Sequence, residues 1–419
     1  MTETDFDIGI AGAGLTGRLM ALALAHEGFS VALIDPRAST SRPAQDDERT
    51  TAIAFASARL FKRLGVWDPL DAGACPINDI LVTNGTPRDA FRDGGVDGQS
   101  LHFPSTLLPE ERGGGEDGTA LGYIVGNKAM AEAFEAAVQA APLITSLYGV
   151  GMIGSETMPG ARQLRLDNDK TLSVRLLVAC DGKHSTIRRQ EGLRALSWPY
   201  AQKALVFNIA HEKPHHGVAH ELFCPSGPFA ILPMTDNRCS IVWTEHKRSA
   251  DAYLALPENE FLSAVEDRVG PSLGQLSLAS DPVAWPLSFH YVPNPVGERL
   301  VMAGDAAHTI HPIAGQGFNL GIKDIAALAD VAGEAMRTGL DVGHGSTLER
   351  YAKWRQFDTA SLALGTDVMN RLFSNDIAPI RWARSAGLGL VQKMDPARIF
   401  FMRHAGADVG DLPSLMRPF

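Results

Sequence analysis

The first thirty-five residues change hydrophobic rhythm twice. Residues 6–11 are a short apolar run, residues 15–27 carry apolar positions at helical spacing among alanines, and residues 30–34 are a second apolar run ending at Asp35. Such runs fit parallel strands buried on both faces, and the 3.6 period between them fits a helix. The prediction is strand, turn, helix, strand. Further along, "LSVRLLVACD" (172–181) predicts a strand that leads into "DGKHSTIRRQEG", where Ser185 or Thr186 stands at a helix start. From 201 to 245 the pattern changes again. "KALVFNIA", "HELFCPSGPFAILPM" and "RCSIVWT" are extended runs broken by Pro and Gly, which predict antiparallel strands of a second sheet. Residues 257–270 predict a helix and 283–290 a strand, and "ERLVMAGDAAHTIHP" (298–312) is an apolar strand running into polar residues. The chain therefore starts in one unit, leaves it for another sheet, and returns near residue 298. No internal repeat appears.

The turn after the first strand carries chemistry. Gly12, Gly14 and Gly17 form a GxGxxG motif between strand and helix, and Asp35 follows Gly17 by 18 residues. In this context Gly12 serves a tight turn, Gly14 lets backbone approach a pyrophosphate, and Gly17 lets the helix lie close to the strand. The free N–H groups at the helix start face the phosphates, and Asp35 accepts from the adenosine ribose. The motif alone leaves NAD and FAD open.

Composition narrows the class. The chain has 419 residues, 45% hydrophobic and 21% charged, enough for a large core and two domains. A net charge of −10 with no basic stripe argues against a nucleic-acid partner. Cys75, Cys180, Cys224 and Cys239 have no CxxC spacing and read as reduced, mostly buried thiols. No basic-then-apolar leader and no run of 18 apolar residues is present, so the expected location is cytoplasmic, with peripheral contact at the inner membrane. "DGGVDGQS" (93–100) and "ERGGGEDG" (111–118) read as exposed loops. The C-terminal "PIRWARSAGLGLVQKMDPARIFFMRHAGA" (379–407) mixes Trp, Phe and Met with Arg and Lys. It reads either as an interfacial or partner-binding helix or as one packed on the core.

Three motifs in order now carry a resemblance: "GAGLTG" (12–17), "CDGKHSTIR" (180–188) and "GDAAHTIHPIAGQGFNLGIKD" (304–324). Closer marks are "DDERTTAI" (46–53), "LGYIVGNKAM" (121–130), "YAQKALVFNI" (200–209), "ELFCPSGPFAILPM" (221–234) and "RCSIVWT" (238–244). The chain resembles the FAD-dependent aromatic monooxygenases of the p-hydroxybenzoate hydroxylase fold, and within them the ubiquinone-biosynthesis hydroxylases. The resemblance covers roughly residues 5–375. It departs at Gly126–Asn127–Lys128, where that branch often reads Glu-Asn-Arg.

The resemblance implies an α/β fold, with a Rossmann-like FAD-binding domain interleaved with a second domain on an antiparallel sheet, plus C-terminal helices. The expected division is 1–75, 119–195 and 290–360 for FAD, 76–118 and 196–289 for substrate, and 361–419 for the helical segment. The expected cofactor contacts are Gly12, Gly14, Gly17, Asp35, Arg49, Asn127, Asp181, Gly182, Gly304, Asp305, Pro312, Gly315, Gly317 and Asn319. Asp305 is expected on a ribityl hydroxyl. Pro312, Gly315, Gln316 and Gly317 are expected beside the flavin ring, where backbone N–H groups and a helix start favour the negative charge of the reduced ring.

The implied reaction is hydroxylation: NAD(P)H reduces the flavin, O2 adds as a hydroperoxide, and its distal oxygen goes to an aromatic carbon. NAD(P)H binds transiently, with Arg49 a candidate phosphate contact, and no second GxGxxG is present. His308 and His311 lack further ligands at suitable spacing and read as structural or flavin-proximal rather than as a metal site. The implied substrate is a polyprenylated phenol or quinone precursor, met at a membrane or among other ubiquinone-biosynthesis proteins. The alternatives are a monooxygenase of a small soluble phenol, a flavin dehydrogenase or oxidase, and a non-catalytic flavin-binding subunit. No residue stands out as the base for a substrate phenol.

Overall fold

The computed structural model describes residues 4–38, 48–84, 100–108, 120–373 and 389–419. The strand Phe6–Ala11 lies at the centre of a parallel sheet. It pairs with Val31–Asp35 on one side and with Thr171–Ala179 on the other; Ile144–Tyr148 and Leu300–Met302 extend the sheet outward, all in parallel. A hairpin of Met152–Met158 and Ala161–Leu166 adds antiparallel strands beside Thr171–Ala179. The inner strands are apolar where both faces are covered, toward their carboxyl ends, and Ile8, Ile10, Leu33, Leu176 and Val178 are fully buried.

The helices Leu15–His26 and Gln316–Arg337 pack on this sheet and on each other. The second is 22 residues long, about 33 Å at 1.5 Å per residue. Small residues along it, among them Gly321, Ala326, Ala329 and Ala332, are buried and let neighbouring backbones approach closely. A single helix, Gly345–Phe373, runs across residue 360, where the expected division placed a boundary.

A second, mostly antiparallel sheet of nine strands has Leu196–His211 among its inner strands, flanked by Arg238–His246 and Val283–Tyr291. The run "HELFCPSGPFAILPM", read as one extended stretch, is a hairpin of Val218–Cys224 and Gly227–Met234 that turns at Ser226. Asp79–Asn84 joins this sheet in parallel with Val218–Cys224 and carries Ser100–Pro104 at the edge. The helices Lys247–Leu254 and Glu258–Val269 are on one face, where Phe207, Leu222, Trp243, Phe261 and Val265 share a core. The opposite face sends Leu101, Phe103 and Ala219 into the main core. A small third sheet, Thr50–Ala54, Cys75–Ile77 and Gly122–Gly126, lies between. Apart from Ser100, the two glycine- and acid-rich stretches fall outside the described residues. So do residues 379–388 of the C-terminal segment.

Candidate functional site

The carboxyl ends of four neighbouring parallel strands converge on one cleft of about 810 Å³. Gly12 follows the first strand, Asp35 ends the second, Cys180–Gly182 follow Thr171–Ala179, and Ala303–Asp305 follow Leu300–Met302. Crevices outside strand ends where the chain departs in both directions are where open α/β sheets take ligands. The cleft brings together nine of the residues singled out from the sequence: Gly12, Gly14, Asp35, Asn127, Asp181, Gly182, Gly304, Asp305 and Gly317.

The glycines divide by the space around them. Gly12 has φ +101°, and a Cβ there would lie 2.4 Å from the Cys180 carbonyl oxygen, so the turn excludes any side chain. A Cβ on Gly17 would stand 1.8 Å from the Gly12 oxygen, so the helix rests directly on the turn. Gly14 is different. Its φ is −70°, and no atom lies within 4 Å of a Cβ built there. The folded chain has room for a side chain at Gly14; what it leaves is open cleft beside a helix start that no side chain caps. Gly182 and Gly317 also face open space.

The cluster of Gly315, Gly317 and Gly321 thus has three separate causes. Gly315 takes a left-handed φ of +63° against Ala52, Gly317 opens on the cleft, and Gly321 packs so close to the next turn that a Cβ on it would stand 3.4 Å from the Gly304 Cα.

The acids are held firmly. Asp35 accepts from the Ala13 N–H at 2.7 Å and from the Arg37 backbone and side chain at 2.9 Å. Burial alone would raise its pKa, but the Arg37 and Ala13 hydrogen bonds outweigh this and hold it below the usual value. The Asp181 Oδ2 accepts from the Thr186 N–H at 2.9 Å, while its Oδ1 is buried on the cleft wall with no partner. Ser185 caps the same short helix through the Arg188 N–H. Asp305 opens to the cleft yet is ringed by protein. That desolvation raises its pKa, against the pull of His308 and Lys183.

Six expected residues do not line the cleft. Arg49 stacks its guanidinium 4.5 Å over the Trp285 ring. Asn319 bridges inward: it accepts from the Ala54 N–H and donates to the Ala52 and Gly315 carbonyls. Gln316 donates to the Ala405 carbonyl of the C-terminal helix. The Pro312 carbonyl accepts the Gly315 N–H, which closes the loop. Gly315 meets Ala52 as described above. Gly17 also lies behind the lining, beneath the turn.

Reading the sequence missed Asp324. It is 2% exposed, accepts from the Gly304 N–H at 3.0 Å and from His308 Nε2 at 2.6 Å, and pairs with Arg355 at 2.9 Å. It therefore fixes the turn that presents Asp305. The signal was an acid on the buried face of an apolar helix, where charges stand only when paired.

Residues 5–356 match the family profile described as "FAD binding domain". The chain belongs to this FAD-binding family. Its relatives place it among the family's ubiquinone hydroxylases. It is 38% identical over 402 residues to the ubiquinone hydroxylase UbiL of Rhodospirillum rubrum, covering 95% of this chain and 89% of that protein. It is 31% identical to the 3-demethoxyubiquinol 3-hydroxylase of Escherichia coli, covering 93% and 95%. In fold it matches the p-nitrophenol 4-monooxygenase PnpA of Pseudomonas putida with a TM-score of 0.75 at 16% identity, covering 96% and 97%. The chain is an FAD-dependent aromatic monooxygenase of this family, with NAD(P)H and O2 as co-substrates.

The donor set fits FAD. A glycine wall beside an uncapped helix start suits a pyrophosphate, the Asp181 oxygen without a partner suits a hydroxyl donor, and the helix start at Gln316 lies beside open space at Gly317.

Proposed function

We propose that this chain hydroxylates the aromatic ring of a polyprenylated phenol on the route to ubiquinone. The observation that carries the reading is the kinship with a ubiquinone hydroxylase along nearly the whole chain, in a fold whose parallel strands end on a glycine-walled cleft. Gly12, Gly14 and the first turn of Leu15–His26 would hold the pyrophosphate, and Asp35 would serve the adenosine end. Asp181 and Asp305 would take hydroxyls of the ribityl chain, and Asn127 and Gly317 would flank the ring. Bound FAD supplies the redox chemistry that passes electrons from NAD(P)H to O2. The protein's part is to orient the ring and exclude water.

The face of the nine-stranded sheet turned from its helices would form the substrate wall. Beyond the part packed in the main core it carries Val82, Phe223, Ala230 and Leu232, apolar side chains suited to an aromatic ring with a hydrocarbon tail. Among the described residues no helix is long and apolar enough to cross a membrane. Leu390, Met394, Phe400 and Phe401 are exposed near Arg398 and Arg403, a composition suited to contact with a bilayer surface.

Two assays test the reading. In a strain lacking the gene, a prenylated intermediate short of one ring hydroxyl should accumulate; normal ubiquinone with no such species refutes it. With purified protein, FAD and NADPH, a farnesylated phenol should be hydroxylated in preference to a small soluble phenol. The reverse preference assigns the enzyme to small phenols.

A further inference from the structure

Glu221 stands in an unusual place for a carboxylate. In the strand Val218–Cys224 it lies opposite Ala230 on one side and Val82 on the other. Directly paired residues share a sheet face, and alternate residues along a strand do too. Glu221 therefore shares its face with Ala219, Phe223, Val82 and Ala230. Leu222 points the other way, into the core formed with the two covering helices. The face of Glu221 is the one on which Phe223 packs against Ile313, at the start of the turn that ends in Gly315. The carboxylate thus stands on the wall opposite the glycine loop.

This carboxylate is partly buried and makes no hydrogen bond or ion pair with any described residue. Among the described residues, the strands alongside it place no titratable side chain on its face, although its charge reaches the Cys224 thiol of its own strand. Asp79–Asn84 contributes Ile80, Val82 and Asn84 to this face, Gly227–Met234 contributes Pro228, Ala230 and Leu232, and the next strand contributes Ser240, Val242 and Thr244. The loop offers Ile313, preceded by a buried His311 that desolvation keeps neutral. Desolvation pushes the Glu221 pKa up to about 8. An unpaired acid on an apolar wall carries a standing energetic penalty, which a bound hydroxyl would relieve.

We propose that Glu221 receives the ring hydroxyl of the phenolic substrate, removes its proton, and so sets which ring carbon meets the flavin. The inference rests on the function proposed above. The substrate O–H bond breaks, the proton passes to a Glu221 carboxylate oxygen, and the electron pair stays on the phenol oxygen. That pair delocalises onto the ortho and para carbons and makes them electron-rich. The inserted oxygen atom comes from O2 and the two electrons from NAD(P)H. When the attacked carbon then sheds its hydrogen as a proton to water, Glu221 returns its own proton to the oxygen. A base whose pKa lies near the working pH is the kind that transfers protons efficiently.

The test uses the FAD-loaded enzyme, its Glu221→Gln and Glu221→Asp variants, and a farnesylated nitrophenol whose colour reports its own ionisation. Thermal melting and FAD content establish that each variant is folded and loaded. The parent should ionise the bound probe, and its kcat/KM for a farnesylated phenol should climb with pH to a plateau above about 8. The Gln variant should bind the probe without ionising it, lose the climb, and fall about a hundredfold at the plateau. The Asp variant, with its shorter carboxylate, should recover part of the ionisation. A Gln variant with parental probe ionisation and pH profile overturns the role of Glu221 and leaves the proposed function standing. A parent that neither binds the probe nor hydroxylates the farnesylated phenol overturns both.

Discussion

Gly14→Val separates what the fold needs from what the cofactor needs. Gly14 sits at φ −70°, ψ −174°, ordinary extended backbone for valine, and its Cβ would have no neighbour within 4 Å. The substitution should therefore leave the apoprotein folded. The expected cost is that of a poorer residue at a helix N-cap, at most about 1 kcal/mol. The two methyls would stand in the open cleft where a pyrophosphate must approach the backbone. Forcing extra methyls into a filled site costs about 1–3 kcal/mol, or roughly five- to 150-fold in FAD affinity at 1.4 kcal/mol per tenfold. Gly17→Ala is the contrasting control. Its Cβ would fall 1.8 Å from the Gly12 carbonyl oxygen, so the helix must move and the apoprotein itself should be destabilised. The assay is FAD titration by flavin fluorescence beside thermal melting of the apoprotein. If Gly14→Val binds FAD as the parent does, the phosphates do not lie against this turn. If it unfolds instead, the open space at Gly14 does not describe the folded protein.

Three further outcomes are expected. Asp324→Asn should lower stability by up to about 3–5 kcal/mol in denaturant melts, because the buried Arg355 and His308 lose the carboxylate they share and Arg355 keeps only Asp358. Burial would raise the Asp324 pKa, but His308 and Arg355 hold it below the usual value, so this contribution should persist at neutral pH and be lost only as pH falls through that lowered value. Glu221→Gln should raise stability in alkaline buffer. The folded-state pKa of Glu221 is about 8 against 4.5 unfolded, so stability is lost as pH rises from 4.5 to about 8. The ceiling is about 5 kcal/mol, reduced to about 1–3 kcal/mol because water reaches part of the side chain; a gain that does not grow between pH 5 and pH 8 contradicts it. Gly317→Leu, entering open space, should leave apoprotein melting nearly unchanged and slow NADPH-driven reduction or hydroxylation about a hundredfold, read by stopped flow and product yield.

What could be read from the chain depended on how local the cause was. The strand, turn and helix of residues 6–26 follow from periodicity and glycine spacing, because a few neighbouring residues determine them. The nine cleft-lining residues were legible for the same reason: each stands just past a strand end or at a helix start. Asn319 and Gln316 lie outside the cleft lining because their amides bond to Ala52, Ala54 and Ala405, contacts that no short stretch of sequence encodes. Glu221 was hidden by a similar distance effect. The alternation in "HELFC" shows that an acid shares a face with Ala219 and Phe223, but not which face meets the glycine loop. That depends on pairing with residues about 140 positions earlier.

The cleft also sets a schedule. Its walls come from residues 11–17, 34–37, 180–187 and 303–321, so a nascent chain cannot present the whole cleft until more than three hundred residues have left the ribosome. At about 5–20 residues per second, roughly 15–60 seconds separate synthesis of the first glycine turn from synthesis of the last wall. During that interval Phe6–Ala11 can pair with Val31–Asp35, but its other edge stays bare until Thr171–Ala179 arrives. The cofactor is therefore captured late, once about three-quarters of the chain has been made. A shortage of flavin would act after most of the chain is made and leave apoprotein to accumulate, without stalling the early steps of folding.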